Sequence, residues 1–174
     1  MKNLTLIRHA KASRDNPLIQ DFERPLSGRG LHDAPLIGKH LKKVHAFAPD
    51  ALITSPAKRA FTTASIIARK AGLQDVPLLE EPRIYEAPVD TLAEVLRGLS
   101  DQIKHAALFG HNPGFEALAN WLCGPGTIAS LPTGGVVMLE LKVKSWSQVD
   151  AGCGTLLEYF CPSQIGGGKE AYDS

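Results

Sequence analysis

The sequence predicts an α/β fold of three layers, α/β/α, with a mixed, mostly parallel sheet flanked by helices, and three observations carry that expectation. Short apolar, β-branched runs alternate with longer amphipathic stretches through the first two thirds of the chain. The apolar runs end on polar or turn-forming residues such as Arg8-His9, Ser55-Pro56 and Gly110-His111-Asn112-Pro113. In the last third, two apolar runs follow one another without a convincing helix between them, as neighbouring, antiparallel strands would.

The first run, residues 3–8, is too short for a helix and reads as a buried strand. A loop rich in Asp, Asn, Pro and Ser occupies residues 9–27, and Ser27-Gly28-Arg29-Gly30 opens an amphipathic stretch. There Leu31, Ala34, Ile37, Leu41 and Val44 recur at helical spacing, and Pro35 inside the pattern predicts a helix that starts near it or is kinked by it. Residues 49–54 form the second expected strand, and residues 57–71 a helix stopped by Gly72. Residues 76–79 give a short third strand, 92–99 a helix, 105–109 a fourth strand and 115–122 a further helix. Residues 135–143 and 154–160 complete the sheet.

At 174 residues and 44% hydrophobic content the chain is sized for one domain with a real core, expected over residues 1–163, followed by a Gly-rich tail at 164–174. The 19 basic and 18 acidic residues leave a formal charge of +1, which gives no reason to expect nucleic acid or an anionic membrane as partner. Cys123, Cys153 and Cys161 are odd in number and lack CxxC spacing, so a disulfide framework and a zinc knuckle are not suggested and a reducing cytoplasm is expected. The opening apolar run is too short for a signal-peptide core or a membrane span.

In an open α/β sheet, ligands bind beyond the carboxyl ends of the strands. The residues delivered there are Arg8 and His9 after the first run, Ser55 and then Arg59 after the second, and His111 after the fourth. Two arginines and two histidines at one sheet edge make a local cationic pocket in a neutral protein, suited to a phosphoryl group. Guanidinium forks match phosphate oxygens, and their field keeps an imidazole neutral and able to attack. His9 is the expected nucleophile, its tautomer set by a hydrogen bond from its other ring nitrogen to a backbone carbonyl. Arg8, Arg59 and His111 would stabilise charge on the equatorial oxygens. Each residue alone has a plainer reading, as strand terminator, turn filler or turn residue. Two histidines could also serve a metal, but no carboxylate or thiolate at recognisable spacing completes a first shell, so neither metal nor cofactor is expected.

The segment Leu6-Ile7-Arg8-His9-Ala10-Lys11 resembles the signature of the histidine phosphatase superfamily. The usual form has glycine where this chain has Ala10, and the alanine resembles the short, SixA-like phosphohistidine phosphatases. Further similar blocks follow in family order: Arg24-Pro25-Leu26-Ser27-Gly28-Arg29-Gly30, Ser55-Pro56-Ala57-Lys58-Arg59-Ala60-Phe61-Thr62-Thr63-Ala64, Tyr85-Glu86-Ala87 and Gly110-His111-Asn112-Pro113. The resemblance spans residues 4 to about 114 and implies a phosphoglycerate mutase-like fold. It implies phosphorylation of His9 during turnover, with Arg8, Arg59 and His111 around the phosphate. Arg24 either reaches the phosphate or pins its loop, and a loop role with some substrate contact is expected. Glu86 corresponds to the acidic general acid of larger members or else is a loop carboxylate, and Asp90 is its rival.

A phosphate ester expels an alkoxide that needs a proton, whereas phosphohistidine can leave as neutral imidazole, whose conjugate acid has a pKa of about 6.5. An ill-placed Glu86 would favour phosphohistidine; one pointing into the pocket would keep phosphomonoesters open. Residues 80–104 leave little room for the covering insertions of a mutase, so a shallow site is expected. The expected partner is a phosphorylated protein or a small phosphorylated substrate, with hydrolysis preferred over mutase chemistry or a phosphate-binding module without turnover.

Overall fold

The computed structural model describes residues 1–168. Six strands form one sheet: β1 (Lys2–Arg8), β2 (Ala51–Thr54), β3 (Leu78–Glu80), β4 (His105–Gly110), β5 (Val136–Leu141) and β6 (Gly154–Phe160). Their spatial order is β3-β2-β4-β1-β5-β6. The first four are parallel to one another, while β5 pairs antiparallel with β1, and β6 with β5. Helices α1 (Gly28–Lys42), α2 (Lys58–Lys70), α3 (Val89–Arg97) and α4 (Gly114–Cys123) cover the sheet.

Alternation along the strands sorts the core into two layers. Leu4 and Leu6 of β1, Ala106 and Leu108 of β4, and Val137, Leu139 and Leu141 of β5 pack with Leu92, Val95 and Leu96 of α3 and Phe115 and Leu118 of α4. The intervening residues Ile7, Ala107, Phe109, Val136 and Met138 pack on the other face with Ile37 and Leu41 of α1 and Ala64 and Ile67 of α2. Period-two side-chain direction with helices on both faces is the three-layer arrangement expected from the sequence. The central strands are accordingly apolar on both sides, and β4 is buried along its whole length.

The structure moves several boundaries. Helix α1 starts seven residues before Pro35 and runs through it, because Ser27 caps the first turn by accepting from the Gly30 amide at 3.2 Å. Pro35 removes only one intrahelical donor, and Ala34, Ile37 and Leu41 stay locked against the sheet side. Leu31, expected on that apolar stripe, is 53% exposed. Helix α3 begins earlier than expected, following Pro88, and ends at Gly98. Of the Gly-rich end, residues 162–165 form a 3-10 turn, and Gly167 and Gly168 are buried against α1, where the Gly168 amide donates to Asp33 Oδ1 at 2.7 Å. The expected domain boundary at 163 therefore falls within this turn, and residues 169–174 lie outside the described residues. Among the described residues no helix is long and apolar enough to cross a membrane.

Candidate active site

The parallel strands deliver their last residues to one edge. Arg8 ends β1 opposite Gly110, the last residue of β4, and the His9 amide extends the pairing to the Gly110 carbonyl at 3.0 Å. The Ser55 amide does the same for β2, donating to the Phe109 carbonyl at 2.9 Å. The chain then turns into α2, whose second residue is Arg59, and beyond Gly110 into His111, before α4. These strand ends open on a cleft of about 220 Å³ lined by Arg8, His9, Arg24, Arg59, Glu86 and His111. All six site residues expected from the sequence thus meet at one place, and Asp90, on the first turn of α3, does not line it.

His9 is buried at the cleft floor, and its Nδ1 lies 2.7 Å from the Ala10 carbonyl oxygen. A carbonyl only accepts, so Nδ1 carries the ring proton and Nε2 keeps a free lone pair. The Arg59 Nε–H points at that lone pair from 3.4 Å. Burial is the main influence that pulls the His9 pKa down, to about 3; the Ala10 hydrogen bond works against it, and His111, Arg59 and Arg8 add to it. The nucleophile candidate is therefore neutral throughout the physiological range.

The second imidazole stands beside the first, with ring centroids 5.2 Å apart. His111 Nε2 lies 2.8 Å from Ser55 Oγ, which also accepts from the Ala57 amide at 3.2 Å. Ser55 Oγ keeps a second lone pair and its own proton, so it serves either ring tautomer of His111, donating to a bare Nε2 or accepting from Nε2–H. Nδ1 is buried without a hydrogen-bond partner among the described residues, as is Arg8 Nε. Burial, then the Arg59 charge, holds the His111 pKa down to about 4. Arg8 is aimed by its Nη1, which donates to the Leu131 carbonyl at 2.9 Å. Asn112 Nδ2 donates to the same oxygen, and Glu116 Oε1 accepts from the Leu131 amide.

Asp21 was not expected from the sequence. It lies on a short 3-10 turn, Asp21–Glu23, and accepts Arg59 twice, Nη1 to its carbonyl at 2.6 Å and Nη2 to Oδ2 at 3.0 Å. Arg24 Nη1 donates to Oδ1 at 3.0 Å and the Tyr85 hydroxyl to Oδ2 at 2.6 Å. These donors, led by Tyr85, hold the Asp21 carboxyl far below the usual carboxylate range, so it is ionised. Tyr85 in turn stands edge-on to His111 and is pushed up to about 12, by burial first and then by Asp21. Arg24 also donates from Nε to the Ser13 carbonyl at 3.0 Å, so its guanidinium is engaged with its own loop. Glu86 is exposed at the cleft rim in a left-handed conformation, φ 52°, with no hydrogen bond or ion pair among the described residues.

The three depressed histidines, His9, His111 and His105, predict a definite pH response. His105, whose Nε2 contacts Thr5 Oγ1 at 2.8 Å, is lowered to about 4 by burial. The unfolded chain takes up these protons near pH 6.5, whereas the folded chain does so only at about 3 to 4. Their contribution to stability is therefore fully present above about pH 6.5 and lost as the pH falls towards 4, at on the order of 1 kcal/mol per pH unit for each ring. Ring nitrogen shifts of His9 and His111 should stay constant between about pH 7.5 and 5.5 while the urea midpoint falls. A His9 that titrates near 6.5 would contradict the buried neutral form.

The residue pattern and the geometry agree with comparisons to known proteins. The family model described as "Histidine phosphatase superfamily (branch 1)" matches residues 4–106. An uncharacterised protein of Mycobacterium tuberculosis is 32% identical over 165 residues, which cover 90% of this chain and 99% of that protein. Among solved structures, a SixA-type protein from Agrobacterium tumefaciens superimposes with a TM-score of 0.80 at 23% identity, covering 92% of this chain and 98% of the other. The protein histidine phosphatase SixA complexed with tungstate gives 0.77 at 22% identity, covering 94% and 99%. With a family model across more than half of its length and this fold around the paired histidines, the chain belongs to the histidine phosphatase superfamily.

Proposed function

We propose that the chain is a phosphatase that hydrolyses phosphohistidine on protein through a covalent phosphohistidine intermediate at His9. The observation that carries this reading is the His9 ring itself: Nδ1 is committed to the Ala10 carbonyl, and the neutral Nε2 lone pair faces the cleft beside Arg59. Nε2 attacks phosphorus and the bond to the leaving nitrogen breaks. A substrate imidazole protonated at its distal nitrogen leaves neutral and needs no proton at the broken bond. Water then attacks the phosphorylated His9, which departs as neutral imidazole because Nδ1 already holds a proton, and both water protons end on the phosphate. Arg8 and His111, which line the cleft beside His9, supply the donors for the equatorial oxygens. That SixA, which shares this fold, has been solved in complex with tungstate, a tetrahedral oxyanion, supports the reading that the fold binds oxyanions.

Glu86 keeps a second reading open, as a small-molecule phosphomonoesterase, because it lines the same cleft. A panel of a phosphohistidine protein and common phosphomonoesters, run with the wild type and Glu86→Gln, tests both. The expected result is preferred turnover of phosphohistidine, unchanged within about twofold in Glu86→Gln, with residual ester hydrolysis lowered about tenfold or more. Ester turnover that exceeds phosphohistidine turnover and collapses in Glu86→Gln would establish the phosphomonoesterase instead.

A further inference from the structure

The cleft holds more positive charge than one phosphoryl group uses, and the surplus is localised. Five cations line it, Arg8, Lys11, Arg14, Arg24 and Arg59, against the carboxylates of Asp21 and Glu86. Arg59 and Arg24 are matched by Asp21, and Arg8 is anchored on the Leu131 carbonyl. Lys11 and Arg14 are exposed, and among the described residues neither side chain has a hydrogen bond or ion pair. In a chain with a net charge of only +1, two uncompensated cations on one wall of the site are a local feature.

The backbone that carries them is built rather than loose. The Lys11 carbonyl accepts from the Ser27 amide at 2.9 Å and the Ser27 hydroxyl at 3.1 Å. Gly30 sits so close to it that a Cβ there would lie 2.2 Å from the Lys11 carbonyl oxygen. Ala12 bridges to Leu26, the Ser13 amide donates to the Pro25 carbonyl at 2.8 Å, and Arg24 holds the Ser13 carbonyl. Residues 11–13 are thus strapped to residues 24–30, which fixes where the Lys11 side chain leaves the wall. Partial burial and the neighbouring charges of Arg29, Arg14, Arg8 and Arg24 depress the Lys11 pKa, the response of a cation crowded by its own sign.

We propose that Lys11 and Arg14 form a second anion subsite contiguous with the phosphoryl pocket, which takes a carboxylate or a second phosphate on the leaving part of the substrate. This rests on the hydrolase reading for its biological use, but not for its measurement. An acidic side chain beside a phosphohistidine and the acid group of a small phosphorylated molecule present the same chemistry, and a lysine with an arginine binds either through charge-assisted hydrogen bonds.

Calorimetry with inorganic pyrophosphate and inorganic phosphate tests the subsite without turnover. Pyrophosphate should bind about tenfold tighter than phosphate, and K11A/R14A should erase that preference while leaving phosphate affinity unchanged. Equal affinities in the wild type, or an equal loss for both anions in the double variant, would overturn the subsite and leave a basic rim that merely attracts anions.

Kinetics then identify the source of the second anion. One pair is phosphohistidine peptides flanked by Asp and Glu or by Ser; the other is O-phosphoserine against phosphoethanolamine, which differ by one carboxylate. The acidic member of at least one pair should have the higher kcat/KM, through KM, and lose that advantage in K11A/R14A. An advantage confined to the peptides assigns the anion to a protein substrate, and one confined to phosphoserine to a small molecule. Hydrolysis with no advantage in either pair would overturn the proposal. Anion preference without hydrolysis of any substrate would leave the subsite standing and remove the proposed activity.

Discussion

His9→Ala is expected to lower hydrolysis by at least about 10³-fold and to abolish the phosphoenzyme. The wild type, quenched during turnover, should carry label that is lost in acid and kept in base, as a phosphoramidate is, and the variant should carry none. The effect is chemical rather than structural, because the direct bonds of His9 are few: Nδ1 to the adjacent Ala10 carbonyl and a long contact from Arg59 to Nε2. Loss of one such hydrogen bond costs about 1 kcal/mol, so the urea midpoint and the circular dichroism spectrum should stay close to wild type. The neutral state of the ring extends the prediction to pH. With a pKa pulled down to about 3 by burial, His9 should still be phosphorylated by a reactive phosphoramidate well below pH 6.5. If His9→Ala retains wild-type hydrolysis, the nucleophile is another group.

How much of this was legible in the sequence depends on which physical link placed each residue. Arg8, His9, Arg59 and His111 follow apolar runs directly or by one helical turn, so strand periodicity alone brings them to one sheet edge. The β5 and β6 pairing was likewise visible, since two apolar runs with no helix between them have only an antiparallel solution close at hand. Asp21 was not legible. It lies in an irregular loop with no hydrophobic period, and its meaning comes from Arg59, 38 positions later. Its spacing three residues before Arg24, with which it forms an ion pair, was the one local signal. The Leu131 carbonyl, which aims both Arg8 and Asn112, is a backbone group and leaves no trace in residue type. The choice between Glu86 and Asp90 likewise needed the turn after the 3-10 segment Pro82–Ile84, which puts Glu86 at the rim and Asp90 on α3.

Arg59→Ala should cost about 10² to 10³ in kcat/KM, and Arg59→Lys should recover less than about tenfold of that loss. Each face of this guanidinium is used: Nε on His9 Nε2 at 3.4 Å, Nη1 on the Asp21 carbonyl at 2.6 Å and Nη2 on Asp21 Oδ2 at 3.0 Å. An ammonium supplies the charge but not this fork, so it can meet Asp21 or the phosphate and not align with both. The loss has two sources that a further variant separates. One is the missing donor to the phosphoryl group. The other is the Asp21 carboxylate, which remains ionised through Tyr85 and Arg24 but then faces the incoming phosphate without its main counter-charge. Arg59→Ala combined with Asp21→Asn removes that repulsion, and should therefore bind phosphate more tightly than Arg59→Ala alone, with kcat still depressed. In the presence of Arg59, the same Asp21→Asn change turns one of the two accepting oxygens into a donating amide, so it loosens the guanidinium and should weaken both phosphate affinity and activity. The sign of the Asp21→Asn effect on phosphate affinity thus reverses with the residue at 59, a coupling that a double-mutant cycle measures directly. The same sign in both backgrounds would mean that Asp21 does not act through Arg59.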